Sequence, residues 1–269
     1  MTWTPIHSVH SIERTKIGIQ FGEPLPSKIL RKLGESFDKR REAFNFGPRV
    51  ERITSQIILT NTPHIQSPEN NLSTGGWQFV REDIPGVPIE AFILDTNGLA
   101  YETGQYIRWA PFFDRFSDIT KEAIVNVLEN IRINIFVLEY FDRFIFRQED
   151  KNDTVLPAPH MLLKRELTSI LSHEAQSGNE PWHLHRGWFE GKEPSRFLVN
   201  QNIDAQYLIE NGRQLPSVTI FTKIEQRNPG ADLDLSALKR NLDEMHDLSK
   251  TIFKNALVDD VARKVGLIQ

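Results

Sequence analysis

Two imidazoles two residues apart, His183 and His185, are the first place to look for chemistry. His183-Leu184-His185 reads as part of a strand, where i and i+2 side chains share a face. Two such rings could hold one zinc ion if a third ligand arrived from elsewhere. Glu190-Gly191-Lys192 follows in the same segment. An acidic residue, a spacer and a lysine can hold a divalent ion and polarise a phosphodiester, provided an upstream Asp such as Asp150 or Asp153 completes the site. His183, His185 and Glu190 together would describe a metal-dependent hydrolase or nuclease. The competing reading is a polar strand edge flanked by Trp182 and Trp188. It is favoured because no third ligand stands at a diagnostic spacing and because Gly191 suits a turn. No metal and no cofactor are therefore assigned. His7, His10, His64, His160 and His173 are scattered, and His246 reads as a partly buried, hydrogen-bonded helix residue beside Met245.

A second pair of groups is Asp142-Arg143, inside the run Ile135 to Phe146. Charges in so apolar a segment must be paired or must face a groove. One reading is an ion pair to the neighbouring strand. The other has Arg143 presenting its guanidinium to a carboxylate or phosphate in a cleft. The binding residues expected from sequence are thus Asp142, Arg143, His183, His185 and Trp188, with no catalytic residue among them. The phosphate loop, the dinucleotide fingerprint, the Gly-x-Ser-x-Gly elbow and the His-Glu-x-x-His helix are all missing, which lowers the expectation of a common nucleotide enzyme or hydrolase.

The elements that position these residues follow from periodicity. Lys16 to Phe21 alternates as a strand, and Ser27 is placed to cap a helix carrying Ile29, Leu30, Leu33, Phe37 and Phe44. Lys28, Arg31, Lys32, Lys39, Arg40 and Arg41 give that helix a basic face interleaved with acids, the pattern of a solvated surface. Strands are predicted at Arg52–Thr60, Trp77–Arg81, Ile89–Asp95 and Leu99–Ile107. Asn97-Gly98 is the expected hairpin turn, on the ground that both residues tolerate positive φ. A helix over Trp109–Asn130 buries Phe113, Phe116, Thr120, Ile124, Val127 and Ile131 on one face.

The order then restarts. Ile135 to Phe146 reads as a central strand covered on both faces, because both alternation phases are largely apolar. A short helix is expected over His160–Leu171, and strands over Trp182–Glu190, Phe197–Ile209 and Val218–Gln226, with Gly212 turning the last pair. A long helix capped by Asp232 or Asp234 follows, with Leu238, Leu242, Met245 and Ile252 on one face, then a tail helix from Asp259. The segments 61–76 and 172–181 read as exposed loops. The fold class is α+β: two related units, residues 1–131 and 132–269, each a mostly antiparallel sheet closed by a long amphipathic helix.

Composition bounds the rest. The 269 residues are 39% hydrophobic and 10% aromatic, enough for a substantial core. There are no cysteines, which removes disulfides, thiolate metal sites and a Cys nucleophile. With no secretory signal and no membrane-length apolar run, the expectation is a cytoplasmic protein without a membrane partner. The net charge of −4 gives no push toward nucleic acid or anionic lipid.

Four segments carry a family resemblance: Ile17-Gly18-Ile19-Gln20-Phe21 with its Pro-Leu-Pro exit, Gly76-Trp77-Gln78-Phe79, Tyr140-Phe141-Asp142-Arg143-Phe144, and Leu242-Asp243-Glu244-Met245-His246-Asp247 with Phe253. Over nearly its whole length the chain resembles a sporadically distributed, uncharacterised prokaryotic protein family. Two departures stand out. The family's Tyr-Ile-Asn-Arg-Ile reads here Tyr140-Phe141-Asp142-Arg143-Phe144, and the Thr that caps its tail helix is Val258, leaving Asp259 as a substitute cap. The resemblance implies the architecture and no activity. The function expected from the residues is a non-enzymatic protein-interaction or assembly component, bound to a protein partner or to itself.

Overall fold

The structure is a computed structural model that describes residues 2–55, 72–147, 156–178, 180–192, 196–230 and 233–268. Its elements in chain order are β1 (Thr2–Pro5), β2 (Ile12–Phe21), α1 (Ser27–Arg40), β3 (Val50–Ser55), β4 (Leu72–Ile84), β5 (Val87–Asp95), β6 (Gly98–Thr103) and α2 (Trp109–Asn130). Then come β7 (Ile133–Arg147), α3 (Arg165–Thr168), α4 (His173–Ser177), β8 (Trp182–Glu190), β9 (Phe197–Glu210), β10 (Arg213–Arg227), α5 (Leu235–Ala256) and α6 (Asp259–Lys264). The fold is α+β. Among the described residues, ten strands form one antiparallel sheet in the order β3-β4-β5-β6-β2-β7-β10-β9-β8, with β1 also paired to β7.

Alternation along β7 explains how the sheet is covered. Phe136, Leu138, Tyr140, Phe144 and Phe146 are all buried on the side that carries the helices. Phe144 stacks toward Phe253 of α5, and Phe116 of α2 lies beside Tyr101 of β6. The expected strand is central, but no described helix packs on its other side. Glu139, Phe141 and Arg143 are half-buried there, sheltered by neighbouring side chains. The main core joins Ile17, Ile19, Phe92, Phe116, Phe136 and Leu138 to Leu242 and Met245 of α5, so residues from both halves of the chain share it. A second cluster under β9 and β10 holds Trp3, Phe144, Ile203, Ile220 and Ala256.

Several local expectations are corrected. Ser27 does not cap α1: Pro26 occupies that position, its fixed φ suiting the helix start, and no side-chain cap forms. Asp234 does cap α5, accepting from Ala237 N at 2.6 Å. Val258, not Asp259, takes the cap position of α6, without a side-chain bond. The segment expected as one helix over 160–171 breaks into a 3-10 turn at Pro159–Met161 and the single turn of α3. Within 172–181 the chain forms α4, whose cap Ser172 accepts from Ala175 N. Of 61–76, residues 72–76 belong to β4, and the rest lies outside the described residues, as do His64, Asp150, Asp153 and Asp232.

The two hairpins differ in mechanism. Asn211 (φ 52°) and Gly212 (φ 75°) take the left-handed pair that a two-residue β9–β10 turn requires. At β5–β6 the loop residues are Thr96 and Asn97, and neither Asn97 nor Gly98 has positive φ. Gly98 is needed for another reason: a Cβ there would lie 2.5 Å from the Ile19 carbonyl oxygen of β2.

Candidate functional site

Asp142 and Arg143 are neighbours in sequence and lie on opposite sides of the sheet. Arg143 donates from Nε to Glu13 Oε2 at 2.9 Å and from Nη1 to Ser217 Oγ at 3.2 Å, so it is paired to the adjoining strands. Asp142 turns toward the helices and is only 3% exposed. Its one side-chain hydrogen bond among the described residues comes from Ser11 Oγ at 2.7 Å, and no cation pairs with it. Burial, offset only partly by that hydroxyl, pushes its carboxyl up from 3.8 to about 7.

Asp142 lines a cavity of about 560 Å³. Three segments enclose it: Val9–Ile12, which leads into β2; Tyr106–Ala110, which leads into α2; and the His246–Phe253 stretch of α5 with Val265–Leu267 beyond α6. Its walls are aromatic. Tyr106 and Tyr140 meet edge to face at 6.0 Å, and Trp109 stacks on the His246 imidazole at 4.6 Å and 4°. Tyr140 Oη and His246 Nδ1 are hydrogen-bonded at 2.9 Å. Burial lowers the pKa of His246, and burial with the neighbouring His7 lowers that of His10, so both rings favour the neutral form. Burial lifts the Tyr106 phenol to about 12. Trp109 is held from below by its indole N–H, which donates to Asp243 at 2.7 Å. The His10 Nδ1 is buried with no partner among the described residues.

An irregularity in β2 sets this up. Ile12 pairs with Asp142 and Arg14 with Phe141, so Glu13 is an extra residue in the ladder. The bulge turns both Glu13 and Arg14 to the open side, where Arg14 lies 5.6 Å over the Phe141 ring. Ser11 is left to meet Asp142.

The other expected binding residues are on β8, the last strand of the sheet path. His183 and His185 project from the open side, exposed, with Nδ1 of His183 on Asp204 Oδ1 at 2.5 Å and His185 bonded to Asn202. Trp188 and Glu190 share the opposite side, joined by Trp188 Nε1 to Glu190 Oε2 at 3.2 Å. The three groups of the hydrolase reading therefore do not converge. Among the described residues, no cluster of three or more His, Asp or Glu could hold a metal ion. Nor is any described helix long and apolar enough to cross a membrane.

A third constellation, absent from the sequence reading, locks α2 to the sheet. Buried Glu90 accepts from Arg115 Nε at 2.8 Å, from Tyr101 Oη at 2.6 Å and from Arg81. Burial acts to raise its pKa, but the Arg115, Tyr101 and Arg81 hydrogen bonds outweigh it and hold the carboxylate low. Every charge here is answered, which marks it as structural. No protein-family model matches the chain, and no curated protein matches it.

Proposed function

We propose that the protein is a non-enzymatic interaction or assembly component that engages a protein partner through the open side of its sheet. One observation carries this reading: α1, α2, α3, α5 and α6 build the two cores on one side of the sheet, and the other side carries exposed or half-exposed arginines and aromatic rings, among them Arg14, Phe141, Phe189 and Phe221. Phe141 and Phe221 lie 6.2 Å apart there, with the guanidinium of Arg143 5.8 Å from the Phe141 ring centre. Phe189 on β8 is 55% exposed, and Arg196 sits 4.3 Å over its ring. Aromatic and arginine side chains are the residues that dominate protein interfaces. Arg143, His183 and His185 belong to this surface. Asp142 and Trp188 do not. A cytoplasmic location fits the cysteine-free composition.

The same reading treats residues 1–131 and 132–269 as related units. The support is connectivity. After the short β1, the first half opens on β2 and the second on β7, and these two central strands pair antiparallel. The last strand of each half, β6 or β10, returns beside β2 or β7 and is followed by a helix of 22 residues, α2 or α5, with the six-residue α6 beyond α5 having no counterpart among the described residues of the first half.

The test is affinity capture from the native host with the wild type and with a Phe189→Asp, His185→Glu double variant of unchanged circular dichroism. A partner retained by the wild type and lost by the variant is the expected result. Equal capture by both overturns the assignment to this surface.

A further inference from the structure

The cleft around Asp142 has no part in the open side of the sheet, and its chemistry points elsewhere. A carboxyl group only 3% exposed, with one hydroxyl partner and no cation among the described residues, is costly to ionise where it stands, and a cation brought into the cleft would favour its charged form. The walls around it are of a kind that attracts cations. Tyr106, Tyr140 and Trp109 present ring faces and edges, and aromatic faces bind ammonium groups through their quadrupoles. His10 and His246 are held toward the neutral form by burial, so neither supplies the missing charge. The charged groups that line the cavity besides Asp142 are Arg108, at the start of α2, and Lys250 on α5, both exposed at the mouth. The rim also carries Val9 and Ile107, 69% and 73% exposed, an unusual outlay of apolar surface beside a polar interior.

We propose that this cleft is a binding site for a small organic ammonium compound, its nitrogen directed at Asp142 and its apolar body held between Tyr106, Trp109 and the rim. A carboxylate on the same ligand would meet Arg108 and Lys250, so an amino-acid-like zwitterion suits the cleft better than a simple amine. The cavity volume accommodates a ligand of that size. The His10 ring also lines the cleft, edge-on to Tyr106.

The site is tested by calorimetric titration of the intact chain with three probes of one shape: tyrosine, tyramine and 4-ethylphenol. Tyrosine and tyramine should bind in preference to the neutral phenol. Asp142→Asn, which keeps the side-chain shape, should weaken the two amines by roughly 30-fold or more and leave the phenol unchanged, because it removes one member of a buried charge pair. Tryptophan fluorescence gives an independent readout on the wild type: amine binding should alter emission, and Trp109→Phe should abolish the response. Equal affinity for all three probes, or no binding of the amines at millimolar concentration, overturns the proposal. So does amine binding that survives Asp142→Asn. Because Phe189 and His185 lie on the other side of the sheet, the open-side double variant should bind the amines as the wild type does, and failure of one reading leaves the other standing.

Discussion

At the scale of single residues, Asp142 and Glu90 show opposite solutions to burying a carboxylate. Glu90 is held low by three donors, while Asp142, with one, is raised to about 7. The sign of the pH dependence follows. The folded protein holds the Asp142 proton more tightly than the unfolded chain, so the contribution to stability is full below the unfolded value of 3.8 and is lost as pH rises through about 7. Relative to Asp142→Asn, the wild type should lose roughly 3–5 kcal/mol between about pH 4 and pH 8, a range set by this gap at about 1.4 kcal/mol per pH unit. Denaturant unfolding of both proteins across that range checks it, and parallel curves would refute it. The other titratable groups around Asp142 are His10, Tyr106, Tyr140, His246 and Lys250, and Asp142→Asn leaves them all in place. That a charged pair in an apolar strand needed explanation was legible from sequence. That Asp142 and Arg143 would part company was legible from alternation alone. Which serine and which helix would close the cleft around Asp142 was not, because Ser11 and His246 each come from more than 100 positions away in the chain.

At the scale of elements, periodicity located α2 and β8 to the residue and α5 to within one turn, because each buries a continuous stripe or stands in clean alternation. It failed where local chemistry decides. The broken segment after Pro159 and the α1 cap are set by proline geometry and short hydrogen bonds that no stripe records. The apolar residues of β7 in both phases led to the expectation of a strand covered on both sides, and Val137 and Ile145 on the open side are indeed 4% and 0% exposed, although no described helix lies over them. Phe144, fully buried against Phe253, should on substitution by Ala destabilise the protein by roughly 3–5 kcal/mol, measured by denaturant unfolding. A change below about 1 kcal/mol would place that side chain outside the core. The two hairpin glycines predict different magnitudes. Gly98→Ala forces a Cβ against the β2 backbone and should cost roughly 1–3 kcal/mol. Gly212→Ala, with free space around it but a φ of 75°, should cost about 1 kcal/mol. The order of the two melting temperatures checks the assignment.

At the scale of the whole molecule, one sheet and one main core are assembled from both halves of the chain. The strongest connection between them is the antiparallel β2–β7 ladder, and α5 packs on the same core as α2. Residues 132–269 expressed alone would expose the whole edge of β7 from Ile133 to Arg147, an unprotected strand rich in aromatics. The expected product is a dimer paired through β7 or an aggregate, never a stable monomer. Light scattering on the purified fragment decides this, and a monodisperse monomer would refute it. Element order in the sequence led to the expectation of two related halves. Their fusion into a single sheet was not, since nothing local in β2 or β7 says which strand lies beside it.

The chain between β1 and β2 has a kinetic meaning. β1 and β2 lie along the same edge of β7, since Pro5 faces Phe144 and Ile12 faces Asp142. Residues 6–11 therefore loop out between two pairing points only two positions apart on β7. Both ends of the loop are fastened to a single residue, by Ile6 N to Arg143 O at 3.0 Å and by Arg143 N to Ser11 O at 2.8 Å. Within it the backbone closes only through His7 N to His10 O at 3.3 Å. Val9 and His10 thus stand outside the rungs of the sheet and form one lip of the cleft, with the His10 ring edge-on to Tyr106. For the ligand proposed above, the expectation is that this short loop, and not unfolding of the sheet, sets the time spent inside. Amide exchange should be slow at Arg143, fast at Val9, and slower at Val9 once the cleft is filled.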